Sequence, residues 1–465
     1  MISLKPLMLS GREVLPLIEG GKGISITKGE CSGAWAATGG VGTFSGVNAD
    51  FYDEKGNLMQ QIYHATTRSA RQRELVDYAV KGALYQARMA HETAGSEGCI
   101  HMNILWEMGA AEEVLTRVLE SAKGLIHGVT CGAGMPYKLS EISARFGVYY
   151  YPIVSSARAF RALWKRAYYK CQEWLGAVVY EDPWRAGGHN GLSNNEDPRT
   201  PEPPYPRVKE LRSLMNECGL SKIPIIMAGG VWFLREWEQW VDNPEIGPIA
   251  FQFGTRALLT KESPIPEEWK QRLLTLEKGD VSLHQFSPTG FHASAVRNNF
   301  LRELEERSHR QIAYSLENVG EHDTPYEIGL RNRVVYLTAG DRDLAEKWKA
   351  QGFLEAIRTP DSTLVFVTSD KAKEIRTDQA ACMGCLSACR FSNWAQNEAG
   401  TTGKKADPRS FCIQKTLQAI AHGESVDNEL MFSGHNAYLF AEDPFYSNNF
   451  IPTVQQLVNR IITGD

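Results

Sequence analysis

Two hydrophobic rhythms alternate through the first 260 residues of the chain. Short apolar runs punctuated by glycine recur at Val14–Ile18, Val41–Phe44, Ile100–Leu105, Leu125–Val129, Val148–Val154, Ala177–Tyr180, Ile223–Ala228 and Ile249–Phe253. Each has strand length and suits a buried strand. Between them, apolar residues return every three or four positions. From Glu74 to Met89, Leu75, Ala79, Ala83 and Ala87 form one row and Val76, Val80 and Leu84 the next, which predicts a helix. Val114, Leu115, Val118 and Leu119 mark another. Strands alternating with helices predict right-handed βαβ units and a parallel sheet. Eight such strands predict a closed (β/α)8 TIM barrel, with an open doubly wound sheet as the competing α/β architecture.

Beyond residue 280 the alternation stops. Ser287–Phe300 (SPTGFHASAVRNNF) reads as a turn leading into a helix. A small β-α-β pattern follows, with Val334–Thr338, a helix around Leu344–Trp348, and Leu364–Val367. A cysteine-rich stretch comes next, then helices near Ile413–Ala421 and Val454–Ile462. The expected organisation is a barrel at 1–285, an insertion with a small α/β element at 286–380, and a cysteine-rich helical segment at 381–465. A chain of 465 residues exceeds one compact core, which agrees with such a division.

Charge narrows the function classes. A formal net charge of -5 provides no basic field for nucleic acid. The cluster Arg68, Arg71, Arg73 reads as the solvated start of a helix. No apolar run reaches the roughly 18–20 residues of a membrane span, and the first residues lack the apolar core of an export signal. The cytoplasm is therefore the expected compartment, and the cysteines are expected to carry metal or cofactor chemistry instead of disulfides.

The stretch AVVYEDPWRAGGHNG (Ala177–Gly191) is an apolar run breaking into a glycine loop that delivers His189. Parallel α/β sheets present chemistry at such carboxyl edges, although a lone loop histidine equally fits a solvent-facing or capping role. IPIIMAGGV (Ile223–Val231) and IAFQFGTRAL (Ile249–Leu258) end in Gly229–Gly230 and in Gly254–Thr255–Arg256. In a barrel these are strands seven and eight, whose loops recurrently bind phosphate at a helix N-terminus. Backbone N–H groups approach phosphate closely only beside glycine, and Thr255 and Arg256 add donors. A phosphate-bearing ligand is expected. Gly39–Phe44 (GGVGTF) only superficially matches a dinucleotide fingerprint, because its glycines precede a strand. The proline-rich loop Asn194–Pro206 suits a cover over a pocket, or equally a plain surface excursion.

Together with PLIEGGKG (Pro16–Gly23), ATGGVGTF (Ala37–Phe44), HMNIL (His101–Leu105) and FQFGTRALLTKES (Phe251–Ser263), the stretches AGGHNG (Ala186–Gly191) and MAGGV (Met227–Val231) carry a family resemblance. In order and spacing over Val14–Ser263 the chain resembles the FMN-dependent nitronate monooxygenases and the related flavin-dependent enoyl-acyl carrier protein reductases. The resemblance implies an FMN barrel. It implies that Gly21, Lys22 and Gly23 contact the flavin ring, with Asn103 beneath it. It implies that Gly188, Gly229, Gly230, Gly254 and Thr255 hold the phosphate with Gln252 close by, and that His189 acts as base or orients the substrate. Lys22 stands where the family often has methionine; a cation there either stabilises an anionic reduced flavin or points to solvent. Ser287–Asn298 resembles a stretch in a subgroup of these flavoproteins, which makes Arg297 an anion anchor or else a surface arginine.

Cys382, Cys385, Cys389 and Cys412 form C-x2-C-x3-C with a distant fourth cysteine. Such spacing suits an iron–sulfur cluster or a structural zinc, with unliganded thiols as the remaining reading. It resembles the [4Fe–4S] segment of other flavin barrel reductases. The flavoprotein subgroup also carries a cysteine-rich tail followed by FCI and F-x-G-x-N-A-Y, here Phe411–Ile413 and Phe432–Tyr438. The expected activity is oxidation of nitronates or similar small carbon acids by oxygen, with FMN and a [4Fe–4S] cluster as cofactors. The alternative is a flavin and iron–sulfur reductase of enoyl-type substrates fed by NAD(P)H or a ferredoxin. A non-enzymatic alternative is a flavin- or metal-containing module that docks a partner. A homo-oligomer is compatible with each.

Overall fold

The computed structural model describes residues 4–329, 333–397 and 400–463. Eight parallel strands close into a barrel: β1 (Leu17–Glu19), β2 (Val41–Ser45), β3 (Cys99–Leu105), β4 (Gly128–Gly132), β5 (Tyr149–Val154), β6 (Val178–Glu181), β7 (Ile225–Ala228) and β8 (Ile249–Phe253). Neighbours in sequence are neighbours in the ring, and β8 pairs β1 to shut it. The closed barrel is thus the architecture, and the open sheet is excluded.

The strand period of two sorts side chains between two cores. Ile18, Val41, Cys99, Tyr151, Val179, Ile226 and Ala250 fill the barrel interior. Leu17, Phe44, Ile100, Val129, Val178, Met227 and Phe251 face outward to the helices. Among those helices are α1 (Gly29–Ala37), α2 (Arg68–Ala94), α3 (Ala111–Ser121), α4 (Leu139–Phe146), α5 (Ala157–Arg166) and α6 (Pro204–Glu217). Directly after β7 and β8 come 3-10 turns, Leu234–Trp240 and Arg256–Leu258, and a two-turn α-helix, Glu267–Leu273, follows the second. Val14, expected within the first barrel strand, belongs instead to an N-terminal hairpin, Leu7–Leu9 with Arg12–Val14. Its Leu9 and Val14 pack into the interior core and plug the amino end. The fourth barrel strand starts at Gly128, three residues later than Leu125.

Ser287–Phe300 is not a simple turn into a helix. Ala293–Val296 is a strand between Val281–His284 and the two-residue strand Gly188–His189, and only then does the helix Asn299–His309 begin. This small antiparallel sheet carries His189 above the barrel mouth. A module at 311–380 has its own core of Ile312, Tyr326, Val335, Leu337, Leu364 and Phe366. Its last helix, Ser369–Ala380, runs directly into the cysteine loop. The helices Ile413–Ala421 and Val454–Thr463 return to the barrel, burying Leu417, Leu457 and Ile461 in the main core. Among the described residues no helix is long and apolar enough to cross a membrane.

Candidate active site

One cavity lies at the carboxyl ends of the strands. Gly21, Lys22, Gly23, Asn103, Gly188, His189, Gly229, Gly230, Gln252, Gly254 and Thr255 all line it. Strand ends put them there: Asn103 lies within β3 and Gln252 within β8, while the glycines form the turns that follow β1, β7 and β8. Two of these positions require glycine for different reasons. A Cβ on Gly21 would stand 2.2 Å from the Asn103 Cβ, so a side chain has no room. Gly229 holds φ at +89°, where a side chain is strained. At Gly254 nothing lies within 4 Å of where a Cβ would be, so its backbone opens onto free space. These features fit a ligand that approaches the main chain closely, as the phosphate and ring of a flavin nucleotide would.

His189 is half-buried, with Nε2 2.6 Å from Ser287 Oγ and the Phe432 ring edge-on at 5.4 Å. Ser287 Oγ is in turn 2.8 Å from Thr289 Oγ1. Burial lowers the histidine pKa to about 4, so the imidazole is neutral near neutral pH and free to accept a proton.

Lys22 lines the cavity, but its ammonium donates to the Gly20 carbonyl and lies 3.9 Å from the buried Glu19 carboxylate. Burial pushes the Lys22 pKa down and that of Glu19 up. Arg256 lines the cavity, and its Nε has no partner among the described residues, but the rest of its guanidinium is turned elsewhere. Its guanidinium donates to the Trp232 carbonyl and pairs with Asp443, both buried. Only a three-residue 3-10 turn follows Thr255, so no full helix N-terminus stands at this loop. Thr255 Oγ1 accepts from Gly434 N at 2.9 Å.

Arg297 is a surface arginine, bound through two nitrogens to Glu305 and absent from the cavity wall. The loop Asn194–Pro206 is absent from that wall as well; Asp197 accepts from Trp184 and Glu196 pairs with Arg207 along the surface. The tail supplies the opposite wall through Cys385, Leu386, Gln414, Leu417, Phe432–Gly434, Asn436 and Ala437. Asn436 donates to the Gly230 carbonyl at 2.7 Å. The F-x-G-x-N-A-Y segment was visible in the sequence as a motif, but no local signal there assigned it to the site. Glu181, which ends β6 inside the cavity, also escaped the sequence reading.

All nine cysteines are free thiols. Cys385 is half-buried, and desolvation, with the sulfurs of Cys412, Cys389 and Cys382 adding to it, pushes its pKa far up. The four thiols therefore face a common neighbourhood, and one of them reaches the cavity. Cys382 Sγ accepts from Ser392 Oγ at 3.0 Å and from Gly384 N at 3.5 Å. Among the described residues no group of three His, Cys, Asp or Glu is disposed to hold a metal ion. Arg68 and Arg71 are not merely solvated. Arg68 donates to the Ser392 and Gln379 carbonyls, and Arg71 to those of Cys382 and Ala380, so α2 clamps the cysteine loop.

Comparison with known proteins agrees with this architecture. A family model described as nitronate monooxygenase matches residues 8–464. FabK from Thermotoga maritima is similar in structure, at 16% identity, covering 97% of this chain and 92% of that one, with a TM-score of 0.50. The enoyl reductase domain of MlnA, from the macrolactin biosynthesis cluster of Bacillus amyloliquefaciens, is similar at 11% identity, 97% and 94% coverage and a TM-score of 0.52. Nitroalkane oxidase from Streptomyces ansochromogenes aligns at 16% identity over 62% of this chain and 79% of its own, with a TM-score of 0.44. No curated protein sequence matches.

Proposed function

The chain belongs to the nitronate monooxygenase family and is a flavin-dependent oxidoreductase; from that premise we propose that it binds FMN in the barrel-mouth cavity and oxidises nitronates or similar small carbon acids with oxygen. The observation that carries this reading is the convergence on one cavity of the glycine turns after β1, β7 and β8 with a neutral, half-buried His189. FMN, when bound, supplies the electron acceptor. Gly229, Gly230, Gly254 and Thr255 are the donors proposed for its phosphate, and Gly21, Lys22, Gly23, Asn103 and Gln252 the residues beside its ring. His189 accepts or orients the substrate proton, and Ser287 on Nε2 holds the imidazole in place.

A second reading is favoured by the cysteines. We infer that Cys382, Cys385, Cys389 and Cys412 hold a [4Fe–4S] cluster. A cubane binds each cysteine through a different iron and spreads them apart. Hydrogen bonds from Ser392 and Gly384 to a cysteine sulfur suit such a centre. Cys385 on the cavity wall would bring one-electron input to the flavin, which plain nitronate oxidation does not require. This favours a reductase of enoyl-type substrates fed by NAD(P)H or a ferredoxin.

The deciding experiment is the absorption spectrum of anaerobically purified protein with iron and sulfide analysis, followed by turnover assays. Flavin with iron, sulfide and donor-dependent reduction selects the reductase. Flavin without iron, and oxygen-dependent nitronate turnover, selects the oxidase. Absence of flavin in every preparation overturns both.

A further inference from the structure

Glu181 closes β6, and the alternation along that strand puts it on the interior side with Val179, where it opens into the cavity. Every other charged side chain lining that cavity is engaged: Lys22 with Gly20 and Glu19, Glu107 with Ser387, Arg185 with Asp182, and Arg256 with Asp443. The Glu181 carboxyl alone has no hydrogen bond or ion pair among the described residues. The flanking strands present Ile153 from β5 and Ala228 with Gly229 from β7, none of them charged. The next residue, Asp182, is an acid already bound to Arg185 and to the Trp184 and Arg185 amides. No cation therefore balances a carboxylate at this position. Burial, with a smaller contribution from Asp182, pushes its pKa up to about 8.

We propose that Glu181 is a further cofactor-contact residue, a neutral carboxylic acid whose O–H donates a hydrogen bond to an acceptor atom of the flavin. The inference rests on the reading of the cavity as a flavin site. A carboxyl group that stays protonated at neutral pH is a donor, whereas its ionised form offers only acceptors. The carbonyl and nitrogen acceptors of an isoalloxazine ring need the first and are repelled by the second. The sign of the pH dependence follows. Below a pH of about 8 the group donates; above it, ligation must first protonate a carboxylate, and affinity falls.

The test is the dissociation constant of FMN, read by fluorescence quenching from pH 6 to 9.5, for wild type, Glu181→Gln and Glu181→Leu. The glutamine keeps a neutral donor, so its constant is expected within about threefold of wild type at pH 6–7 and flat with pH. In wild type the constant is expected to climb by up to about tenfold per pH unit above the carboxyl pKa. The leucine is expected to weaken FMN by about tenfold at pH 7, the magnitude of one lost hydrogen bond. Parallel pH curves for wild type and Glu181→Gln overturn the proposal, and that pair carries the test even if the leucine variant does not fold. Wild type that binds no FMN at any pH instead defeats the flavin reading itself.

Discussion

The floor of the cavity is made of strand ends, whereas the facing wall is made of two tail loops and the helix Ile413–Ala421. Asn103, Glu181 and Gln252 are placed by the parallel ladder of the barrel and by the close-packed interior beneath them. Cys385, Gln414 and Gly434 each meet the barrel side through an individual polar bond, from the Gly109 amide, the Asn48 amide group and to Thr255 Oγ1 respectively. Asp443 shows the tail's method most fully. It is buried and accepts from Trp232, Arg256, Arg460 and the Phe445 amide, tying the tail to the loop after β7 and the turn after β8. A ladder distributes its restraint over many groups. A pinned loop concentrates it in a few, which is where single substitutions have leverage.

The sharpest break in the comparison falls at the small sheet joining the two walls. His189→Ala is expected to lower kcat by about 10²–10⁴-fold with FMN retained, the usual magnitude for a positioned acid or base. A kcat within about threefold of wild type would remove proton handling from this residue. Next, Asp443→Ala leaves Arg256 buried without a counter-charge and is expected to cost about 3–5 kcal/mol in urea unfolding, as for other broken buried pairs. A loss under about 1 kcal/mol would mean that the tail is held by packing alone. The smallest effect is expected from Arg68→Ala with Arg71→Ala. Freeing the cysteine-loop carbonyls should cost about 1–2 kcal/mol locally, read as a roughly tenfold faster reaction of the metal-free loop thiols with a thiol reagent. An unchanged rate would show that the small module and the helix Ile413–Ala421 suffice to hold the loop.

Much of the floor was legible in the chain. Apolar runs such as Ile223–Ala228 and Ile249–Phe253 announce strands because their period and their glycine stops are local properties. The residues just past those stops therefore gather at one mouth as a consequence of local pattern. Where the reading went astray, the competing physics was tertiary. Val14 is as apolar as a barrel residue, yet it plugs the barrel from a hairpin. Arg256 follows a phosphate-type turn, but Asp443, 187 residues away, claims its guanidinium. Arg68 and Arg71 look like solvent-facing cations until the cysteine loop and the helix end before it, 309 residues or more downstream, lay their carbonyls against them. Glu181 was passed over because an acid at a strand end carries no motif; its meaning comes from having no partner.

The sequence by itself determined a (β/α)8 barrel and the set of glycines and the histidine at its mouth, because strand and helix periods are written in neighbours a few residues apart. Only the tertiary structure decided what faces them. Gly434 meets Thr255 across 179 residues, Asn436 meets Gly230 across 206, and Ser387 meets Glu107 across 280. No periodicity records such pairings, because they arise from the return of the tail over a barrel that must already be closed.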